Sequence, residues 1–94
     1  MQDPIWFRKG QDNEFSQWRN EHIQDGYVVN KDGPRWRIHT AHCDSIFTIP
    51  LSKGQSLTTY PKICSTNRNA LREEAQRYGG EISNDCSYCH VDWP

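Results

Sequence analysis

Apolar residues recur at helical spacing early in the chain. Phe15, Trp18 and the pair His22/Ile23 fall on one face. Asp12 and Asn13 stand where a helix is capped, and Gly26 stands where it would stop, so the pattern predicts a helix from about 12 to 23. Tyr27-Val28-Val29-Asn30 is rich in β-formers and reads as a strand. After the turn residues Lys31-Asp32-Gly33-Pro34, the period changes to two. Arg35 and Arg37 alternate with Trp36 and Ile38, which predicts a half-exposed strand pairing back as a hairpin, with Trp36 and Ile38 sharing its inner face. Residues 1–10 carry no such pattern and are expected to form a flexible arm.

The second half is less regular. Ile46-Phe47-Thr48-Ile49 predicts a short strand stopped by Pro50, and residues 52–58 read as loop. Residues 59–64 predict another short strand, which Pro61 demotes to a sheet edge. Ser65 or Thr66 is expected to cap a second helix reaching Tyr78, with Leu71, Ala75 and Tyr78 on its buried face and Gly79-Gly80 closing it. The sum is a small single α+β domain over residues 11–94: an N-terminal helix, a β-hairpin with a short antiparallel sheet, a second helix, and a knuckle at the C-terminus.

Composition sharpens this picture. Ninety-four residues hold one core, and with only 34% hydrophobic against 24% charged residues that core is thin. Four Trp and four Tyr supply much of its area, and a staple is expected in addition. No stretch is long and apolar enough to span a membrane, and no basic, apolar leader opens the sequence. The expectation is a cytoplasmic protein with no membrane partner. In a reducing compartment its four cysteines would be metal ligands or thiols rather than disulfides.

Cysteine spacing says which staple. Cys86-Ser87-Tyr88-Cys89-His90 is a C-x-x-C followed by histidine. That pattern serves as a haem anchor, a redox dithiol, half of a metal site or half of a disulfide framework. Haem attachment needs export, and the sole Met, Met1, is no distal ligand. A redox dithiol sits at an early strand-to-helix turn, not five residues from the end. Zinc fits best, because two thiolates in such a turn bind one tetrahedral ion. The compact source of a second pair is the segment from His39 to Cys43. His39 with Cys43 is preferred over the adjacent His42, since neighbouring residues point apart. The expected site is therefore His39, Cys43, Cys86 and Cys89, with zinc as cofactor. Cys64, His42 and His90 are alternate ligands; Cys64 is otherwise a small buried residue. A disulfide-stapled secreted domain is the further alternative.

The H-x-x-x-C followed by a distant C-x-x-C resembles the metal-binding N-terminal domain of the bacterial alkylation-repair protein Ada, over about residues 38–92. There the first ligand is a cysteine; here it is His39, so a methyl-accepting role does not carry over. The chain also resembles small bacterial zinc-binding proteins with a GYVVN…HxAxC…KxCS…CxxC pattern. It matches them at Trp18, residues 26–30, residues 62–65 and Cys86/Cys89. These resemblances imply a zinc fold and no particular activity.

Charge bears on partners. Arg35, Arg37, Lys53, Lys62, Arg68 and Arg72 stand against Asp44 alone in residues 35–72, a local charge of +5 in a chain of net charge -1. One reading is a zinc-stapled module that contacts nucleic acid through those six cations and Trp36, which would stack on an unpaired base. Another is a protein-interaction or accessory domain of a mobile-element or defence system. No small-molecule substrate is indicated. Signatures such as H-E-x-x-H, G-x-S-x-G or a P-loop are absent, so an enzyme is not expected, a zinc-associated nuclease being the remote exception.

Overall fold

The computed structural model describes residues 3–89 and Val91. It is an α+β fold built on one five-stranded sheet. The strands are β1 (Ile5–Phe7), β2 (Tyr27–Asp32), β3 (Arg35–Thr40), β4 (Lys62–Ser65) and β5 (Glu81–Ser83). The helices are α1 (Asp12–Glu21), the short α2 (Thr48–Ser52) and α3 (Arg68–Arg77), with a single 3-10 turn at Asp44–Ile46. Strand order is β1-β4-β2-β3-β5, antiparallel throughout except that β5 runs parallel to β3.

The β2–β3 hairpin follows from its sequence. Asp32 pairs with Arg35, leaving Gly33-Pro34 as a two-residue loop, and Gly33 takes the positive φ of 60° that the tight turn demands. Alternation then separates two faces. Trp36, Ile38, Val29 and Ile63 line one, buried beneath Leu71 and Ala75 of α3. Val28, Cys64 and Phe7 line the other, against Phe15 and Trp18 of α1. Trp36 is wholly buried, and Trp6 and Tyr78 pack on it at 5.7 and 6.3 Å between ring centres. At the end of α3, Gly79 adopts φ 71°, and the Gly80 and Gly79 N–H groups donate to Ala75 and Gln76 O, which is a Schellman cap. Gly80 also lies so close to Trp36 that a Cβ there would fall 2.2 Å from the indole nitrogen.

Several expectations are corrected. Within the expected arm of residues 1–10, Ile5–Phe7 is an edge strand paired to β4. Its alternation sends Trp6 to the α3 side and Phe7 to the α1 side, which anchors it. Residues 46–49 are not a strand: they leave the 3-10 turn and enter α2, of which Pro50 is a member. The strand after Pro61 is not an edge. It begins at Lys62, so the missing proline N–H costs no ladder bond, and β4 sits between β1 and β2. Asn67, rather than Ser65 or Thr66, caps α3, its side chain accepting from the Asn69 N–H. Tyr78 is 57% exposed, covering Trp36 from outside rather than filling the core. Asp12 is not a cap but the first residue of α1, with Gln11 at the cap position.

Candidate metal centre

Register brings the ligands together. β5 lies beside β3 and runs with it, with Ser83 opposite Arg37. Three residues further on, the chain has advanced level with the end of β3, which places Cys86 and Cys89 beside His39 and Cys43. The loop that leaves β3 is itself pinned. The Ala41 N–H donates to Gly26 O, and Arg19 of α1 donates its Nε to Ala41 O at 2.9 Å while lying 4.0 Å over the Phe47 ring.

His39, Cys43, Cys86 and Cys89 are all buried, and their ligand atoms lie within 4.8 Å of one another. Tetrahedral coordination, with metal–sulfur distances of about 2.3 Å, sets two sulfurs about 3.8 Å apart and a sulfur and an imidazole nitrogen about 3.6 Å apart. Cys43 Sγ and Cys86 Sγ are 3.7 Å apart, and His39 Nδ1 and Cys89 Sγ 3.6 Å. The donor set thus fits one tetrahedral ion. At 3.7 Å Cys43 and Cys86 are not disulfide-bonded, and all four cysteines are free.

Ser45 covers one side of this cluster. Its Oγ lies 3.0 Å from Cys43 Sγ, 3.4 Å from His39 Nδ1 and 3.5 Å from Cys86 Sγ. Electrostatics favour a metal-ready state. Burial works to raise the Cys86 thiol, but hydrogen bonding from Ser45, from the Tyr88 and Cys89 N–H groups and from Cys43 outweighs it and brings the pKa down to about 7. Burial and the neighbouring sulfurs push Cys89 up to about 12. His39 is lowered to about 4, by burial first and then by Arg37 and Lys62, so its imidazole is neutral and able to coordinate.

The alternate ligands lie elsewhere. Cys64 is in the middle of the sheet, packed among apolar side chains, and burial raises its thiol far above the ordinary range. His42 is exposed, its Nδ1 3.5 Å from Thr40 Oγ1. His90 lies outside the described residues. Ser45, which spacing gave no reason to single out, is the residue that sequence reasoning missed; its only signal was its place two residues after Cys43.

The seven residues expected to touch nucleic acid do not form one surface. Trp36 is 0% exposed and cannot stack on a base, because strand alternation turns it under α3. Lys62 is buried, donating to Asn30 Oδ1 at 2.7 Å, and the Arg37 Nε sits 2.9 Å from the Asp85 carboxylate. Arg68 and Arg72 belong to α3 on the opposite side of the sheet, Arg68 lying 5.8 Å over the Tyr27 ring. Arg35 and Lys53 are exposed.

No known protein family, curated protein or solved structure matches the chain. Among the described residues no helix is long and apolar enough to cross a membrane.

Proposed function

We propose that the chain is a small binding module stapled by a structural zinc ion, held by His39, Cys43, Cys86 and Cys89. The observation that carries this reading is the pair of distances, 3.7 and 3.6 Å, that a tetrahedral thiolate–imidazole site requires. Three thiolates and a neutral imidazole favour zinc over harder cations. Four protein ligands fill the tetrahedron and leave no position for a reacting water, so the ion's role is to hold the C-terminal knuckle onto β3, not to catalyse. The thin core makes such a staple valuable.

On partners, the observations favour protein contact over nucleic acid. Burial of Trp36 and Lys62 removes the stacking residue and one cation from the basic set. Tyr60, Tyr78 and Tyr88 are 48%, 57% and 65% exposed, a residue type enriched at interfaces. Fluorescence anisotropy with labelled single-stranded oligonucleotides tests the choice. No saturable, salt-sensitive binding is expected at low ionic strength. Tight binding that falls steeply with salt would restore the nucleic-acid reading.

A further inference from the structure

A cavity of about 520 Å³ opens on the α1 side of the sheet, next to the metal cluster. Its floor is Asn30, Arg37 and Lys62, from β2, β3 and β4; Ser45 and His39 close the metal end. Ile46 and Pro50 give it an apolar wall, and Tyr60 stands at its rim. Among the described residues two of those lining it are cations, and none is an aspartate or glutamate. Two acids lie nearby, one paired with a cation of the cavity itself and the other with a loop. Asp85 sits against the Arg37 Nε, and both Asp12 oxygens are taken by Ser56, Leu57 and Thr58.

The two cations differ in burial: the Arg37 side chain is 36% exposed, whereas Lys62 is enclosed. Lys62 is 6% exposed. Of its three ammonium hydrogens, one faces Asn30 Oδ1 at 2.7 Å and one the Tyr60 carbonyl at 3.3 Å, leaving one donor over among the described residues. The Arg37 Nε is buried and close to Asp85 but lacks the angle of a hydrogen bond. A buried ammonium with a donor to spare, beside a part-exposed guanidinium whose Nε faces Asp85, gives the described lining of this hollow a positive character that suits an anion.

We propose that this cavity is a binding site for a small molecule carrying a tetrahedral oxyanion of the phosphate or sulfate kind. Lys62 and the outer nitrogens of Arg37 take the charged group, with the Asn30 amide in the same hollow and Tyr60 at its rim. The remainder of the ligand lies along Ile46 and Pro50. A guanidinium fork paired with a point-charge ammonium is the combination proteins use for such oxyanions. The site goes beyond the staple reading, because it depends on the sheet and not on which metal is bound.

Calorimetric titration of the intact zinc-loaded chain with inorganic phosphate tests this, with chloride at matched ionic strength as the control and amide chemical shifts followed in parallel. Zinc content is measured on every sample, so a failure of the metal reading is seen separately. The expected result is saturable phosphate binding with shifts around Asn30, Arg37 and Lys62. Lys62→Met and Arg37→Gln should each weaken it by about tenfold, and the exposed Lys9→Gln should leave it unchanged. Lys62→Met removes the charge and the donors to Asn30 Oδ1 and the Tyr60 carbonyl but leaves the Arg37–Asp85 pair alone, and the amide spectrum of each variant shows that it is folded before it is titrated. Absence of saturable binding, equal shifts with chloride, or an equal loss in Lys9→Gln would each overturn the proposal.

Discussion

Asp12 is the most informative single residue to perturb outside the metal centre. It opens α1, yet its carboxylate serves a loop forty-five residues away. One oxygen accepts the Leu57 N–H at 2.9 Å, the other the Thr58 N–H at 3.1 Å, and the Ser56 and Thr58 hydroxyls donate to the same group. Asp12→Asn keeps the shape but offers one acceptor oxygen in place of two. One of the two backbone N–H groups must then face an amide nitrogen, and Leu57 and Thr58 are 3% and 0% exposed, so water cannot replace the lost partner. Losing one hydrogen bond to a charged group, with a buried donor left over, costs about 2–3 kcal/mol. For a chain of this size that shifts the urea midpoint down by about 1–2 M. The assay is urea unfolding of both proteins with zinc in excess, together with amide exchange at Leu57 and Thr58. The sign of the pH effect follows from the same contacts. Burial tends to raise the Asp12 pKa, but the Thr58, Leu57 and Ser56 hydrogen bonds prevail and lower it below its ordinary 3.8. A lowered carboxylate contributes stability above its unfolded pKa and loses it as pH falls through the folded value. The gap between wild type and variant should therefore be constant from pH 7 down to about pH 4 and close below that. Both chains carry the same metal centre, so down to the pH at which it releases zinc their difference isolates Asp12. A gap under about 0.5 kcal/mol at pH 7, the range of an ordinary surface substitution, would refute this account of the loop.

Three further outcomes are expected. Gly80→Ala puts a Cβ 2.2–2.8 Å from the fully buried Trp36 ring, and should destabilise by about 1–3 kcal/mol with a changed near-ultraviolet circular dichroism; an unchanged spectrum and midpoint would contradict the packing described. Ser45→Ala removes the hydroxyl beside three ligand atoms and should lower zinc affinity about 10–100-fold in chelator competition, while the metal-loaded fold stays intact. Burial lowers the Lys62 pKa from 10.5 to about 8, partly offset by Cys64 and Asp12, so its charge costs stability below pH 8 and the cost is relieved as pH rises toward 10.5. Lys62→Met should accordingly be more stable than wild type by roughly 2–3 kcal/mol at pH 7 and lose that advantage in alkali; a variant less stable at pH 7 would show that the ammonium is well satisfied where it sits.

What the sequence disclosed follows from where local and global preferences agree. The hairpin was readable because alternation at residues 35–38 and the Gly-Pro turn point to one register, and the structure pairs Asp32 with Arg35 accordingly. The four clustered ligands were readable because C-x-x-C and H-x-x-x-C each fit one side of a tetrahedron. Residues 46–49 were not, since their β-branched, apolar character is overruled by the tight turn that must follow Cys43. β1 was missed because three residues carry no period; only its pairing with β4 makes it a strand. The burial of Lys62 was missed because a lysine after Pro61 reads as surface. Its enclosure depends on α2 and the loop before β4, whose course no short-range signal reveals.

The most direct measurement is zinc content together with folding. Elemental analysis of the purified, reduced chain is paired with circular dichroism before and after a strong chelator. The account predicts one zinc per chain and cooperative loss of the fold when it is removed. A chain that folds equally well without metal, or that carries no stoichiometric zinc, would contradict it.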